Sequence, residues 1–158
     1  MRILLLISTL ILSGLTYGQD YKSKYDAIDK FDHGLALTIK NGKSGMIDIK
    51  GKVIIPNEYD AIDKFDHGLA LTIRNGKSGV IDIKGNVIIP NDYDTIDKFD
   101  HGLALTIKNG KSGVIDIQGN VIIPNEFDKI AEMKNGIVIA YKNKKKVIIN
   151  ISEKMKKS

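Results

Sequence analysis

Three histidines occur in the chain, His33, His67 and His101, and each stands in the same tetrapeptide, Phe-Asp-His-Gly. Imidazole and carboxylate are ordinary ligands for divalent metals. The pairs Asp32–His33, Asp66–His67 and Asp100–His101 are therefore the first side chains to weigh for chemistry. Adjacent residues of one chain rarely aim at one ion, and short polar residues before a glycine favour a turn. These six residues are thus expected to be loop residues. No metal is expected, and were one bound, they would be its candidates. Asp26, Asp29 and Asp32, three apart and followed by Gly34, lack the alternate-residue carboxylate spacing of calcium loops. Ser44, His33 and Asp48 supply the names of a nucleophilic triad, but the same trio recurs in three copies of a repeat. Neither a nucleophile elbow nor a phosphate-binding glycine pattern is present. No catalytic residue and no cofactor are expected.

What positions these side chains is a 34-residue unit written three times: Tyr25 to Glu58, Tyr59 to Asp92 and Tyr93 to Glu126, any two copies differing at four positions. A degenerate fourth copy spans 127–151, followed by a lysine-rich tail at 152–158. Tandem units pack mainly on their neighbours. An active site needs different groups converging on one place, so the pattern argues against an enzyme.

Within a copy, Leu35-Ala36-Leu37-Thr38-Ile39-Lys40 alternates as a strand does. Asn41-Gly42 follows, suited to the positive φ of both central positions of a type I′ turn. Gly45 to Lys50 is the return strand, Gly51-Lys52 a second two-residue turn, and Val53-Ile54-Ile55 a third strand ended by Pro56. Two tight turns put Ile39 opposite Ser44, Leu37 opposite Met46, Leu35 opposite Asp48, Ala36 opposite Ile47 and Ile49 opposite Ile54. Apolar residues then lie on both faces, so one face must meet neighbouring copies and the other the connector. Tyr59, Ile62 and Phe65, three apart, suit either one helical turn or an irregular lid over the hairpin. The expected fold is all-β, eleven short antiparallel strands forming an elongated solenoid-like array on the order of 50 Å long at the usual strand spacing. A closed, propeller-like ring is the alternative.

The ends differ in kind. Arg2, the apolar run Ile3 to Leu12 and the small residues of Thr16-Tyr17-Gly18 form a secretory signal peptide over 1–18, with cleavage between Gly18 and Gln19 and a short leader at 19–24. No transmembrane segment follows its removal, and the expected location is secreted, periplasmic or cell-surface. The chain has no cysteine, so neither disulfides nor thiol–metal chemistry are available. Its net charge of +5 belongs to the end: the copies are neutral to faintly acidic, while 127–158 holds nine lysines against Asp128, Glu132 and Glu153. Lysine without interleaved arginine or aromatics is a weak nucleic-acid signature, and no nucleic-acid partner is expected.

Tyr-Asp near the start, Phe-x-x-Gly-Leu-Ala, Gly-Lys-x-Gly-x-Ile-Asp-x-x-Gly and Ile-Pro-x-x-Tyr-Asp together resemble the WG-repeat family over 25–126 and part of 127–151. The resemblance implies a β-rich repeat protein, often exported from bacteria, without an assigned catalytic activity. One departure stands out: where the family has its tryptophan, this chain has Ser44, Ser78 and Ser112, and the aromatic two residues on is Met46, Val80 and Val114. Serine cannot supply the ~150–250 Å² that a buried aromatic contributes, so Tyr59 and Phe65 are expected to fill the space. The function expected is a non-catalytic binding or spacer scaffold for an unknown protein or cell-surface component. The alternative is a glycan or metal binder using the Asp-His-Gly row.

Overall fold

A computed structural model describes residues 22–155. The expected signal peptide, the Gly18–Gln19 cleavage and the last three tail residues lie outside that range. After a 3-10 turn at Lys22–Lys24, fifteen strands form four separate antiparallel sheets, each built from strands in sequence order. Sheet one holds β1 (Ala27–Ile28), β2 (Leu35–Lys40), β3 (Lys43–Asp48) and β4 (Val53–Tyr59). Sheet two repeats it with β5 (Ala61–Ile62), β6 (Leu69–Arg74), β7 (Lys77–Asp82) and β8 (Val87–Tyr93). Sheet three does so with β9 (Thr95–Ile96), β10 (Leu103–Lys108), β11 (Lys111–Asp116) and β12 (Val121–Phe127). The fourth has three strands, β13 (Lys129–Lys134), β14 (Ile137–Lys142) and β15 (Lys145–Asn150), before a single helical turn, α1 (Ser152–Met155). The eleven strands expected in one array are thus fifteen in four sheets, and the sheets do not close a ring.

The first hairpin follows its turn chemistry. Asn41 and Gly42 both have positive φ, and Ile39 pairs with Ser44, Leu37 with Met46, Leu35 with Asp48 and Ala36 with Ile47. The second turn differs from expectation. One oxygen of the Asp48 carboxylate accepts the backbone N–H groups of Lys50 and Lys52, each at 2.9 Å. This ends β3 at Asp48 and turns Ile49 outward, 68% exposed. Val53 therefore pairs with Ile47, and Ile49 does not face Ile54.

Nor does Pro56 end the third strand. β4 continues to Tyr59, which pairs with Ser44 across a bulge. Gly45 makes the bulge feasible, since a Cβ there would lie 2.7 Å from the Ile55 carbonyl oxygen and 2.8 Å from Asn57. The Asn57 amide fills the gap and donates to the Thr38 carbonyl (3.0 Å), the Thr38 hydroxyl (3.1 Å) and the Lys43 carbonyl (3.0 Å). Asn91 and Asn125 repeat the arrangement.

The connector is neither a helical turn nor wholly irregular. Tyr59 ends one sheet, Ala61 and Ile62 pair with Ile73 and Thr72 to begin the next, the Asp63 N–H still donates to the Leu71 carbonyl, and Lys64-Phe65 leaves the pairing. Cores accordingly lie between consecutive sheets. Met46, Ile55 and Tyr59 of the first meet Ile62, Ala70 and Ile81 of the second, with Phe65 packed against them. Val80, Ile89 and Tyr93 meet Ile96, Ala104 and Ile115. Val114, Ile123 and Phe127 meet Ile130, Val138 and Ala140. Tyr59 pairs with the small Ser44 and is buried in the core between the first two sheets.

Charged clasps reinforce each junction. Lys43 pairs with Asp60, and Lys77–Asp94 and Lys111–Asp128 each close to 2.5 Å. Arg74, Lys108 and Lys142 lie over the rings of Tyr59, Tyr93 and Phe127 at 5.9, 5.1 and 5.7 Å. At those distances the ring faces attract the cations.

Candidate functional site

The Asp-His-Gly segments are two-residue hairpin turns. Asp32 and Leu35 exchange both backbone hydrogen bonds, at 2.8 and 3.0 Å, around His33 (φ 47°) and Gly34 (φ 82°). Positive φ is common for glycine and uncommon for histidine, and the turn recurs unchanged at His67 and His101. Asn135 takes the same place in the fourth repeat with φ 49°. In each of the three repeats His Nδ1 sits 2.8 Å from the neighbouring Asp Oδ1, with both side chains at least 85% exposed.

The three pairs are not brought together. Among the described residues no group of three or more histidine or acidic side chains is placed to hold a metal ion. Asp26 accepts the Asn41 N–H, Asp29 accepts the Lys30 N–H and Asp32 sits beside His33, so the three aspartates serve separate partners. The triad names also part company. Ser44 is buried beside Tyr59, His33 sits with Asp32 in its turn, and Asp48 holds the second turn.

What the turns do build is a groove, made twice. Between the first and second turn segments lies a cavity of about 680 Å³, floored by Leu35, Leu37 and Met46, with Phe31 and Phe65 as walls. Asp32, His33, Asp63 and Lys64 stand at its mouth, and Ile83 at its edge. The next groove, about 710 Å³, is floored by Leu69, Leu71 and Val80 between Phe65 and Phe99, with Asp66, His67, Lys98 and His101 at the mouth and Ile117 at the edge. Phe65, Lys64 and His67 thus serve both cavities. At the third junction Ile151, the counterpart of Ile83 and Ile117, is only 1% exposed and joins the core, against 38% and 39% for the other two. The sequence marks the turn residues, but the grooves depend on the stacking of sheets, which no single copy displays.

Titration follows the clasps. The Lys43 ammonium, hydrogen-bonded to Asp60, lowers that carboxyl below the usual range, helped by the N–H of Gly76. Lys77 and Lys111 lower Asp94 and Asp128 in the same way. Burial pushes Asp82 upward, but the Asn86 side chain and the N–H groups of Asn86 and Lys84 outweigh it and leave the group lowered. Burial raises the Tyr93 hydroxyl, with Asp92 adding to the effect.

The model of the WG containing repeat matches residues 22–43, 45–77, 79–111 and 113–145. No curated protein matches the chain. Among solved structures, Kluyveromyces lactis Hsv2 is similar at 10% identity and a TM-score of 0.39, over 73% of this chain and 42% of that one. A second structure of Kluyveromyces lactis Hsv2p shares 11% identity at a TM-score of 0.39, over 79% and 50%. This chain therefore spans half or less of those proteins. A chain described as "The de novo evolutionary emergence of a symmetrical protein is shaped by folding constraints" shares 10% identity at 0.31, over 75% and 67%. At these scores the likenesses carry no weight for fold or function.

Proposed function

Because the chain belongs to the WG containing repeat family, we propose that it is an exported, non-catalytic scaffold whose stacked sheets present a row of equivalent grooves to an extracellular partner. The observation that carries this reading is the duplication of the groove, about 680 and 710 Å³, lined largely by equivalent residues of successive repeats. Ligand sites are concave, mostly apolar and edged by a few polar groups. A site repeated at one period suits a partner that is itself extended or repeated, since linked contacts raise avidity without new chemistry. Among the described residues each core cluster joins consecutive sheets, which supports an elongated, solenoid-like stack. Scattering from such a stack gives a radius of gyration clearly above the ~14 Å of a compact globule of this length. The amino-terminal residue pattern supports export.

A bacterial cell-surface glycan is the second reading, favoured by Phe65 standing as a wall of both grooves. Amide-resolved NMR of the chain begun at Gln19, titrated separately with a pool of extended peptides and with soluble cell-wall oligosaccharides, tests the proposal. The expected outcome is perturbation at both groove mouths, around Asp63–His67 and Lys98–His101, which Leu71→Lys weakens in the second groove. Perturbation confined to residues outside the grooves would contradict the reading.

A further inference from the structure

The chain makes one interface three times; its last repeat displays one half of it without a partner, and its first repeat displays the rim of the other half, Tyr25 to Phe31. The 34-residue period puts Lys145 in the place of Lys43, Lys77 and Lys111, and Asp26 in the place of Asp60, Asp94 and Asp128. The internal six are paired. Lys145 and Asp26 make no ion pair among the described residues, and Asp26 accepts only the Asn41 N–H.

The apolar parts match in the same way. Ile137, Ile139 and Ile148 stand where Leu35, Leu37 and Met46 meet the next repeat, yet Ile148 is 65% exposed against 8% for Met46. At the other end Tyr25 and Ile28 are more open than their counterparts Tyr59 and Ile62, which are 5% and 9% exposed. Tyr25, Asp26, Ile28 and Phe31 line an open cavity of about 420 Å³, which has the wall of a groove without the preceding repeat's floor. Ala36 and Ile47, further in on the first sheet, are buried, so the surface on offer at this end is the rim from Tyr25 to Phe31.

We propose that the fourth repeat of one copy docks on the first repeat of a second copy, head to tail, with Lys145 clasping Asp26 and Ile148 packed against the Tyr25–Ile28 rim. The occupant is fixed by charge. Two fourth repeats face to face would bring Lys144, Lys145 and Lys146 of both copies together, whereas the first repeat offers an aspartate at the place where every internal junction has one. The contact is heterologous, so it adds copies head to tail into a filament or a ring and does not stop at a two-fold dimer. Each joint also completes one more groove.

Sedimentation of the chain begun at Gln19, which retains every described element, tests this between about 10 μM and 1 mM, the range of weak contacts. The average mass should climb with concentration without levelling at a dimer. Lys145→Glu and Asp26→Lys should each weaken association roughly tenfold, the size expected of one exposed charge reversal within an interface. Mixing the two variants should restore it. The carboxylate introduced in the fourth repeat of one then meets the ammonium introduced in the first repeat of the other, while the alternate joints keep the native pair. A monomer throughout, or a dimer that Ile148→Lys abolishes and Asp26→Lys leaves unchanged, would overturn the proposal.

Discussion

The junctions between repeats and the Asp-His-Gly turns both recur three times, the third junction with the degenerate fourth repeat, yet the structure treats them very differently. At a junction each recurring residue has a partner in the next repeat: Tyr59 and Ile62 are buried with Met46 and Ile81, Lys43 holds Asp60, and Arg74 covers the Tyr59 ring. At a turn, the recurring His and Asp touch each other and little else, and the fourth repeat fills the same left-handed position with Asn135. Repetition alone therefore does not mark chemistry. It marks folding where the side chain is enclosed. Where the side chain is exposed, its use depends on the surface that neighbouring repeats build around it.

The largest effect should come from emptying a junction. Ile81 is 1% exposed in the core between the first and second sheets. Ile81→Ala should cost about 2–5 kcal/mol, the usual range for deleting a buried isoleucine to alanine. Chemical denaturation reads it directly. A loss below about 1 kcal/mol would mean that the junctions do not carry the stability.

Acid should act next, through the clasps. Asp60, Asp94 and Asp128 have lowered carboxyl groups in the folded chain, chiefly because lysine hydrogen-bonds to them. A folded-state value below the unfolded one favours the fold above the ordinary carboxylate range and loses that contribution as pH falls through the lowered value. The denaturation midpoint should therefore hold from neutrality to about pH 5 and fall below about pH 4. Replacing Lys43, Lys77 and Lys111 together by Met should shrink that fall. An unchanged acid profile in the triple variant would remove the clasps from the account.

The smallest effect belongs to the turns. Changing His33, His67 and His101 together to Asn should alter stability by no more than about 0.5 kcal/mol, as exposed substitutions do, since Asn tolerates the left-handed region. Zinc, nickel or a chelator should move the melting temperature of either protein by less than about one degree, well under ~1 kcal/mol for a domain of this size. A zinc-dependent rise of several degrees, lost in the triple variant, would erase the contrast between turns and junctions.

Much of the single repeat is legible in the sequence. Asn41-Gly42 announces its turn, and counting back from it gives the register of β2 and β3 residue by residue. The second turn is not legible from glycine alone, because the Asp48 carboxylate, rather than Gly51-Lys52, sets its width. The bulge at Gly45 is hidden for a similar reason: Asn57, twelve residues away and beyond a proline, supplies the amide that fills it. Stacking is the hardest part to read. Alternation says that both faces of a strand are apolar, but not that Tyr59 leaves one sheet so that Ile62 can enter another. The turn histidines are recognisable as loop residues from Asp-His-Gly itself, whereas the grooves between them arise only once two sheets are set side by side.

The central claim, that each repeat is a sheet held by its neighbours, meets its most direct test in the removal of one internal copy. Deleting residues 59–92 joins Glu58 to Tyr93 in the same phase, keeps the kind of junction intact and removes one of three. Thermal melting followed by circular dichroism should show a folded, cooperative, β-rich protein with a lower midpoint, as nearest-neighbour coupling requires. A shortened chain that is unfolded at room temperature would contradict the claim and mean that the four sheets stand only as a fixed set.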